Sequence, residues 1–326
     1  MTGGSGFLGQ QVVRHFAAHD YDIRLLIREK RGNDYQFPTN VETVRGDISD
    51  PLIVKSCAED CEAIIHMAAL TKRWSRSKQV FHDVNVTGTW NILDAAIEKK
   101  VERVLITSTF LALKPSNEKA GAEIEPAKED TLYNAYQQTK WESLKITEDC
   151  RRKGLPINIL FPGVIYGPGA VRESNIVGNL IHDHENGKLA GIIGDGSHIW
   201  SFVHTDDVAK GYLLVLEKAA PGCDYILGGE NTSLKNLYDL IMEISGKKIR
   251  YRKIPFWQLY LGGMIEEIKA RLSGIPPRLT REEVSIYRHN WALDSTRAIR
   301  DLGYKITPLK TGLVQTFQWL RDNGII

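Results

Sequence analysis

The sequence predicts an α/β protein: a doubly wound parallel sheet wrapped by helices, followed by a smaller mixed α/β lobe. Three observations carry this. Short apolar, β-rich runs alternate with helical patterns. Each run ends in a polar or glycine turn, where such a sheet places its chemistry. The chain opens on a glycine-rich loop, "MTGGSGFLGQ", that leads straight into an apolar helical face.

The elements follow in order. "GQQVVRHFAAH" reads as the first helix, and "YDIRLLIR", "VETVRGD" and "CEAIIHMAA" as strands. "TGTWNILDAAIEKK" carries apolar residues at helical spacing before the strand "VERVLITST". The long helix "AYQQTKWESLKITEDCRRKG" then precedes the strand "LPINILFPG". After "VIYGPG" the rhythm breaks into a helix, two short strands around "AGIIGDGSHIWSFV" and the helix "TDDVAKGYLLVLEKA". The expected division is therefore a nucleotide-binding domain over 1–167 and a smaller substrate lobe over 168–326, with 200–218 returning to the first. "YILGGEN", "SLKNLYDLIMEISG" and "KKIRYRKIP" continue the second lobe, with no repeat or low-complexity linker.

Composition narrows the function. At 326 residues the chain builds a core that needs no disulfide or metal staple. Its 42 basic and 40 acidic side chains leave a net charge of +2, so no global field favours nucleic acid or an anionic surface, and a small-molecule partner fits better. Cys57, Cys61, Cys150 and Cys223 form neither a CxxC pair nor a zinc pattern and read as buried thiols of a reducing compartment. With no run long enough to span a membrane and no signal peptide before the loop, the expectation is a soluble, cytoplasmic protein.

Gly3, Gly6 and Gly9 are three apart, with Phe7 and Leu8 starting the helix. The first glycine permits a turn, the second lets backbone N–H groups approach a pyrophosphate, and the third lets the helix lie close to the sheet. The pyrophosphate then meets the positive end of the helix. Only Met1 and Thr2 precede the loop, where a central strand is expected, so the native polypeptide is expected to begin about five to eight apolar residues earlier. At the end of the second strand Arg28 stands where an acidic residue would hold the ribose of NAD. A guanidinium pairs with a 2′-phosphate, which favours NADP over NAD, with Lys30 and Arg31 as helpers. Asp47 and Ile48, after the third strand, are placed to hold and cover an adenine.

"YNAYQQTK" puts Tyr136 and Lys140 four residues apart, on one face of a helix. A phenol is a poor acid at neutral pH, and an adjacent ammonium that stabilises the phenolate brings proton transfer within reach. "FVHTDDVA" is assigned to structure rather than to a metal or a hydrolytic triad. Thr205 or Asp206 caps the following helix, Asp207 favours its positive end, and His204 bonds backbone.

The ordered motifs "TGGSGFLG", "GDI", "HMAA", "NVTGTWN", "YQQTK", "PGVIYGPG" and "FVHTDDVA" resemble the extended short-chain dehydrogenase/reductases over nearly the whole chain. Through "YILGGEN" and the lobe after it, the chain is similar to the dihydroflavonol-reductase-like and hopanoid-associated branch of the NAD-dependent epimerase/dehydratase group. The resemblance implies a Rossmann-type sheet, with Tyr136 as general acid/base and Lys140 as phenol activator and ribose ligand. It implies a hydroxyl after the fifth strand, assigned to Thr109 with Ser108 as fallback, to hold the reacting carbonyl. Met67, Ala68 and Ala69 match the segment under the riboses, and Pro162, Gly163 and Ile165 fall in the segment beside the nicotinamide. Asn85 matches an architectural helix asparagine. Phe110 departs from the small residue usual in the family, and Phe161 stands where many relatives carry arginine.

The implied activity is hydride transfer between nicotinamide and a carbonyl or carbinol, in a ketone or aldehyde reductase. The alternatives are a nucleotide-sugar epimerase or dehydratase with tightly held NAD, and a non-catalytic NADP-sensing protein. "RWSRSK" and Arg172 are candidates for a substrate anion, Trp74 for the pocket beside the nicotinamide, and "IPFWQLYLGGMI" for the core of the smaller lobe. Relatives dimerise through the helices that correspond to "NVTGTWNILDAAIEKK" and "AYQQTKWESLKITEDC", which implies a homodimer.

Overall fold

The computed structural model describes residues 1–28, 37–116, 124–171, 174–189, 191–249 and 251–326. Lys30, Arg31 and Arg172 lie outside the described residues. In chain order the strands are β1 (Ile23–Ile27), β2 (Val41–Arg45), β3 (Ala63–His66), β4 (Arg103–Thr107), β5 (Ile157–Pro162) and β6 (Val164–Tyr166). They continue with β7 (Ile192–Ile193), β8 (Ile199–His204), β9 (Tyr225–Leu227), β10 (Glu230–Ser233) and β11 (Lys253–Ile254).

The apolar runs of the sequence become parallel strands because helices cover both of their faces. β3, β4, β5 and β9 pair in that order, all parallel, and β1 pairs with β2, also parallel. Thr2 joins the two groups through parallel bridges to Leu26 of β1 and His66 of β3. Its N–H bonds the Ile65 carbonyl at 3.0 Å, and its own carbonyl accepts from Met67 at 3.2 Å. The glycine loop therefore hangs from a two-residue central segment, at the point where strand order reverses and open α/β sheets bind ligands.

Side chains of these strands alternate between two buried faces. Ile64, Val104, Ile106 and Ile159 pack in one cluster, with Ile92 and Leu144 of the helices Gly88–Glu98 and Ala135–Arg152. Ile65, Leu105 and Leu160 pack in the other, against Val12 and Phe16 of helix Phe7–Ala18 and Tyr212 of helix Thr205–Lys218. Truncating the wholly buried Leu105 to alanine costs on the order of 2–5 kcal/mol.

The second part of the chain adds β8 between β6 and β10, parallel to the first and antiparallel to the second, and a small β7–β11 pair. β9 returns to the main sheet beside β5. Helix Thr205–Lys218 returns too, its Asp206 bonded to His15 at 2.5 Å and to Lys210 at 2.7 Å.

Three expectations are corrected. The cap of helix Thr205–Lys218 is His204, whose ring accepts the Asp206 N–H at 3.4 Å, rather than Thr205 or Asp206. Of the four thiols only Cys150 is buried, the other three being partly exposed. "IPFWQLYLGGMI" is not core: Trp257, Leu261 and Ile265 of helix Phe256–Ser273 are 63 %, 45 % and 50 % exposed, because that helix turns only a narrow face inward. No helix among the described residues is long and apolar enough to cross a membrane.

Candidate active site

A cleft of about 680 Å³ opens beyond the carboxyl ends of β1, β3, β4 and β5. The glycine loop forms one wall. Gly3 takes φ +77°, and a Cβ on Gly9 would lie 2.1 Å from the Gly3 carbonyl oxygen, so only glycine closes this turn. Gly6 caps helix Phe7–Ala18 with no side-chain hydrogen bond, and the first turn carries no acidic residue. Helix N–H groups and the positive end of the dipole therefore face the cleft without a resident carboxylate, which fits a pyrophosphate. Phe7 and Leu8 also line the cleft.

The far rim is built from the ends of β1 and β2. Arg28 is exposed at the edge of the cleft. Asp47 accepts from the Ser49 N–H at 2.9 Å and the Ser49 hydroxyl at 2.8 Å. Ile48 is buried, its carbonyl held by Asn91 at 2.9 Å. Met67, Ala68 and Ala69 form the floor. Asn85 fixes the next residue, accepting from the Leu70 N–H at 2.7 Å and donating to its carbonyl at 3.2 Å, which is the architectural role expected of it. Pro162, Gly163 and Ile165 close the opposite side.

Tyr136 lies in the first turn of helix Ala135–Arg152, which Asn134 caps by accepting the Gln137 N–H at 2.8 Å. Lys140 follows one turn later, 3 % exposed, and donates to the Thr107 carbonyl at 2.6 Å. Thr109 caps the single turn Phe110–Ala112 and accepts the Leu111 N–H at 3.3 Å. Burial pushes the Tyr136 phenol above its ordinary pKa, and its hydrogen bond with Thr109 works the other way. Burial pulls the Lys140 ammonium down to about 8. The Lys140 ammonium is turned to the end of β4. Ser108 lines the same cleft, its hydroxyl buried without a partner among the described residues.

Several lining residues were invisible to motif reading. Trp200, Ile286 and Tyr287 arrive from the second part of the chain, with Trp200 stacked on Tyr287 at 5.0 Å between centroids. Phe110 meets Trp200 and Trp291 edge to face, at 6.0 and 5.6 Å. That accounts for a large ring where a small residue was expected. His66, quoted only as part of "HMAA", lies buried under the loop between the Thr2 hydroxyl at 2.7 Å and the Thr89 hydroxyl at 3.2 Å. Burial, helped by the Lys140 charge, holds its pKa at about 3.

A second cavity, about 660 Å³, adjoins the first and shares Arg73 and Tyr136 with it. Trp74, expected beside the nicotinamide, lines this second cavity with Arg76, Tyr133, Tyr260 and Arg271. No three His, Cys, Asp or Glu side chains among the described residues are grouped to hold a metal.

A parallel sheet with a glycine loop and a bare helix N-terminus at its switch point defines a dinucleotide-binding protein of the Rossmann class. The model of the NAD dependent epimerase/dehydratase family matches residues 1–228. The chain belongs to that family, within the extended short-chain dehydrogenase/reductases, and is an enzyme of the oxidoreductase and epimerase type. It is 29 % identical to a 2-alkyl-3-oxoalkanoate reductase of Stenotrophomonas maltophilia over 93 % of each chain. Among solved structures it resembles gox2253, at 30 % identity and TM-score 0.85, over 100 % of this chain and 98 % of that one. It shares the fold of a UDP-glucose 4-epimerase of Thermotoga maritima, at 22 % identity and TM-score 0.79, over 99 % and 98 % of the two chains.

Proposed function

We propose that the protein is an NADP-preferring reductase of a largely apolar ketone or aldehyde, with Thr109, Tyr136 and Lys140 as its catalytic residues. The observation that carries this reading is the convergence of those three side chains with Gly3, Gly6, Gly9 and Arg28 on one cleft. The nicotinamide supplies the hydride when the cofactor is bound. Gly6, whose own N–H is taken by the Gly3 carbonyl at 2.9 Å, brings the first-turn N–H groups of Phe7 and Leu8 to the pyrophosphate, Arg28 pairs with the 2′-phosphate, and Asp47 and Ile48 border the adenine. Met67, Ala68 and Ala69 lie under the riboses, and Pro162, Gly163 and Ile165 border the nicotinamide. Thr109 orients the carbonyl oxygen, and Tyr136 donates its phenolic proton to that oxygen as the carbonyl carbon is reduced. Lys140 holds the ribose and keeps a positive charge near the phenolate.

Phe110, Ile286, Tyr287 and Trp200 around the cleft support an apolar substrate, as does the similarity to a reductase of a 3-oxoalkanoate. Residues 1–167, joined by 200–218, form the nucleotide-binding part, and 168–326 supply most of the substrate side. The exposed Trp90 and Ile97, seven residues apart on helix Gly88–Glu98, support a homodimer through that helix and its neighbour.

A second reading, a nucleotide-sugar epimerase, is favoured by Arg76 and Arg271 around the cavity that adjoins Tyr136. The deciding experiment is a carbonyl panel with NADPH and with NADH. Stoichiometric NADPH consumption that falls about 10²- to 10⁴-fold in Tyr136→Phe supports the reductase. Copurifying NAD with no net cofactor turnover supports the epimerase, and a strong preference for NADH removes the role given to Arg28.

A further inference from the structure

Helix Phe256–Ser273 carries two apolar faces, and the body of the protein uses only one of them. Gly263 and Ala270 are its only buried residues, and Gly263 lies against the Thr280–Arg281 backbone. On the other face Trp257, Leu261, Ile265, Ile268 and Leu272 are 63 %, 45 %, 50 %, 52 % and 83 % exposed. Tyr260 and Met264 are exposed beside them, and Ile275 prolongs the ridge at 70 %. At 100° per residue the seven helical positions fall within an arc of about 140°, along an axis of roughly 27 Å. A ridge of that extent is a contact surface rather than scattered exposure.

The surrounding charge names the partner. Residues 247–278 hold eight lysines and arginines against two glutamates, whereas the whole chain carries only +2, so the remainder is net negative. Lys269 and Arg271 fall at the two edges of the apolar arc, both exposed, and Lys253 and Arg278 flank the helix ends. Long basic side chains at the rim of an apolar face, with Trp and Tyr at one end, suit a helix lying in the headgroup region of an anionic bilayer. A second copy of the chain fits less well. A twofold contact would bring two such basic segments together, and the arc is wider than the two-position seam of a helix pair.

We propose that helix Phe256–Ser273 with Ile275 docks the protein, peripherally, on an anionic lipid surface. Tyr260, Glu267 and Arg271, along one edge of the same ridge, line the second cavity, so docking brings that cavity to the bilayer. The inference does not depend on which carbonyl or sugar is the substrate.

The test is cosedimentation of the full chain with phosphatidylcholine vesicles and with vesicles containing about one third phosphatidylglycerol, read with light scattering of the protein alone. The expected result is at least tenfold tighter binding to the anionic vesicles, weakened by salt. The triple variant Leu261→Gln/Ile265→Gln/Ile268→Gln loses that binding tenfold or more while its melting temperature and nucleotide binding stay at wild-type values. Lys253→Gln/Arg278→Gln loses the preference for anionic over neutral lipid and keeps the fold. The proposal is overturned if the wild type ignores both vesicles, or if it binds them equally. It is also overturned if the triple variant binds unchanged, or if its one effect is to turn a dimer into a monomer.

Discussion

The Lys140 ammonium donates to the Thr107 carbonyl at 2.6 Å, one helical turn along from Tyr136. The lysine is thus anchored to the end of β4, at the edge of the cleft.

The burial of Lys140 has a measurable pH signature. With a folded pKa near 8 and an unfolded value of 10.5, Lys140 is neutral in the folded chain and protonated in the unfolded chain between those limits. Its contribution therefore makes folding stability rise as pH climbs through that window. Lys140→Met should flatten this rise in urea titrations at pH 8 to 10.5 and weaken NADPH binding at pH 7 by tenfold or more. An unchanged slope would place the charge elsewhere.

Thr109 and Ser108 both present hydroxyls to the cleft, and kinetics separates them. Thr109→Val should lower kcat about 10²-fold with little change in nucleotide affinity, and Thr109→Ser should restore most of it. Ser108→Ala should stay within about threefold of the wild type. The reverse order would transfer the role to Ser108, whose hydroxyl has no protein partner among the described residues.

Gly9→Ala puts a methyl group against the Gly3 carbonyl, which the backbone leaves no room for. The loop must open, so nucleotide affinity measured by calorimetry should fall at least tenfold. Chemical denaturation should show a loss of about 1–3 kcal/mol. Wild-type affinity in this variant would mean that the loop does not carry the pyrophosphate.

Buried His66 makes the protein acid-sensitive. Its folded pKa of about 3 lies below the ordinary 6.5, so in that interval the unfolded chain binds a proton that the folded chain does not. Stability therefore falls as pH drops through the interval, by on the order of 4 kcal/mol in all. His66→Gln should show a shallower loss between pH 6.5 and 4 in thermal melts. A parallel curve would exonerate His66.

Local chemistry made much of the cleft legible. Glycines leave no alternative where Gly3 and Gly9 meet, and a four-residue spacing must put Tyr136 and Lys140 on one face. Strands ending in "GDI", "HMAA" and "PGV" announce residues at the carboxyl edge of a parallel sheet, where a doubly wound fold binds its ligand. The fold was legible for the same reason: runs buried on both faces read as continuous apolar strands, as in "VLI" of β4.

Sequence by itself determined which side chains share an element and an edge, because helical and strand periods are fixed by backbone geometry. Only the tertiary structure decided what those elements meet. It brought Trp200 and Trp291 to Phe110, sent Trp74 to the second cavity, turned Lys140 toward Thr107, and left the outer face of helix Phe256–Ser273 uncovered. An apolar side chain has the same composition whether it faces core or solvent, and partners far apart in the chain leave no local trace.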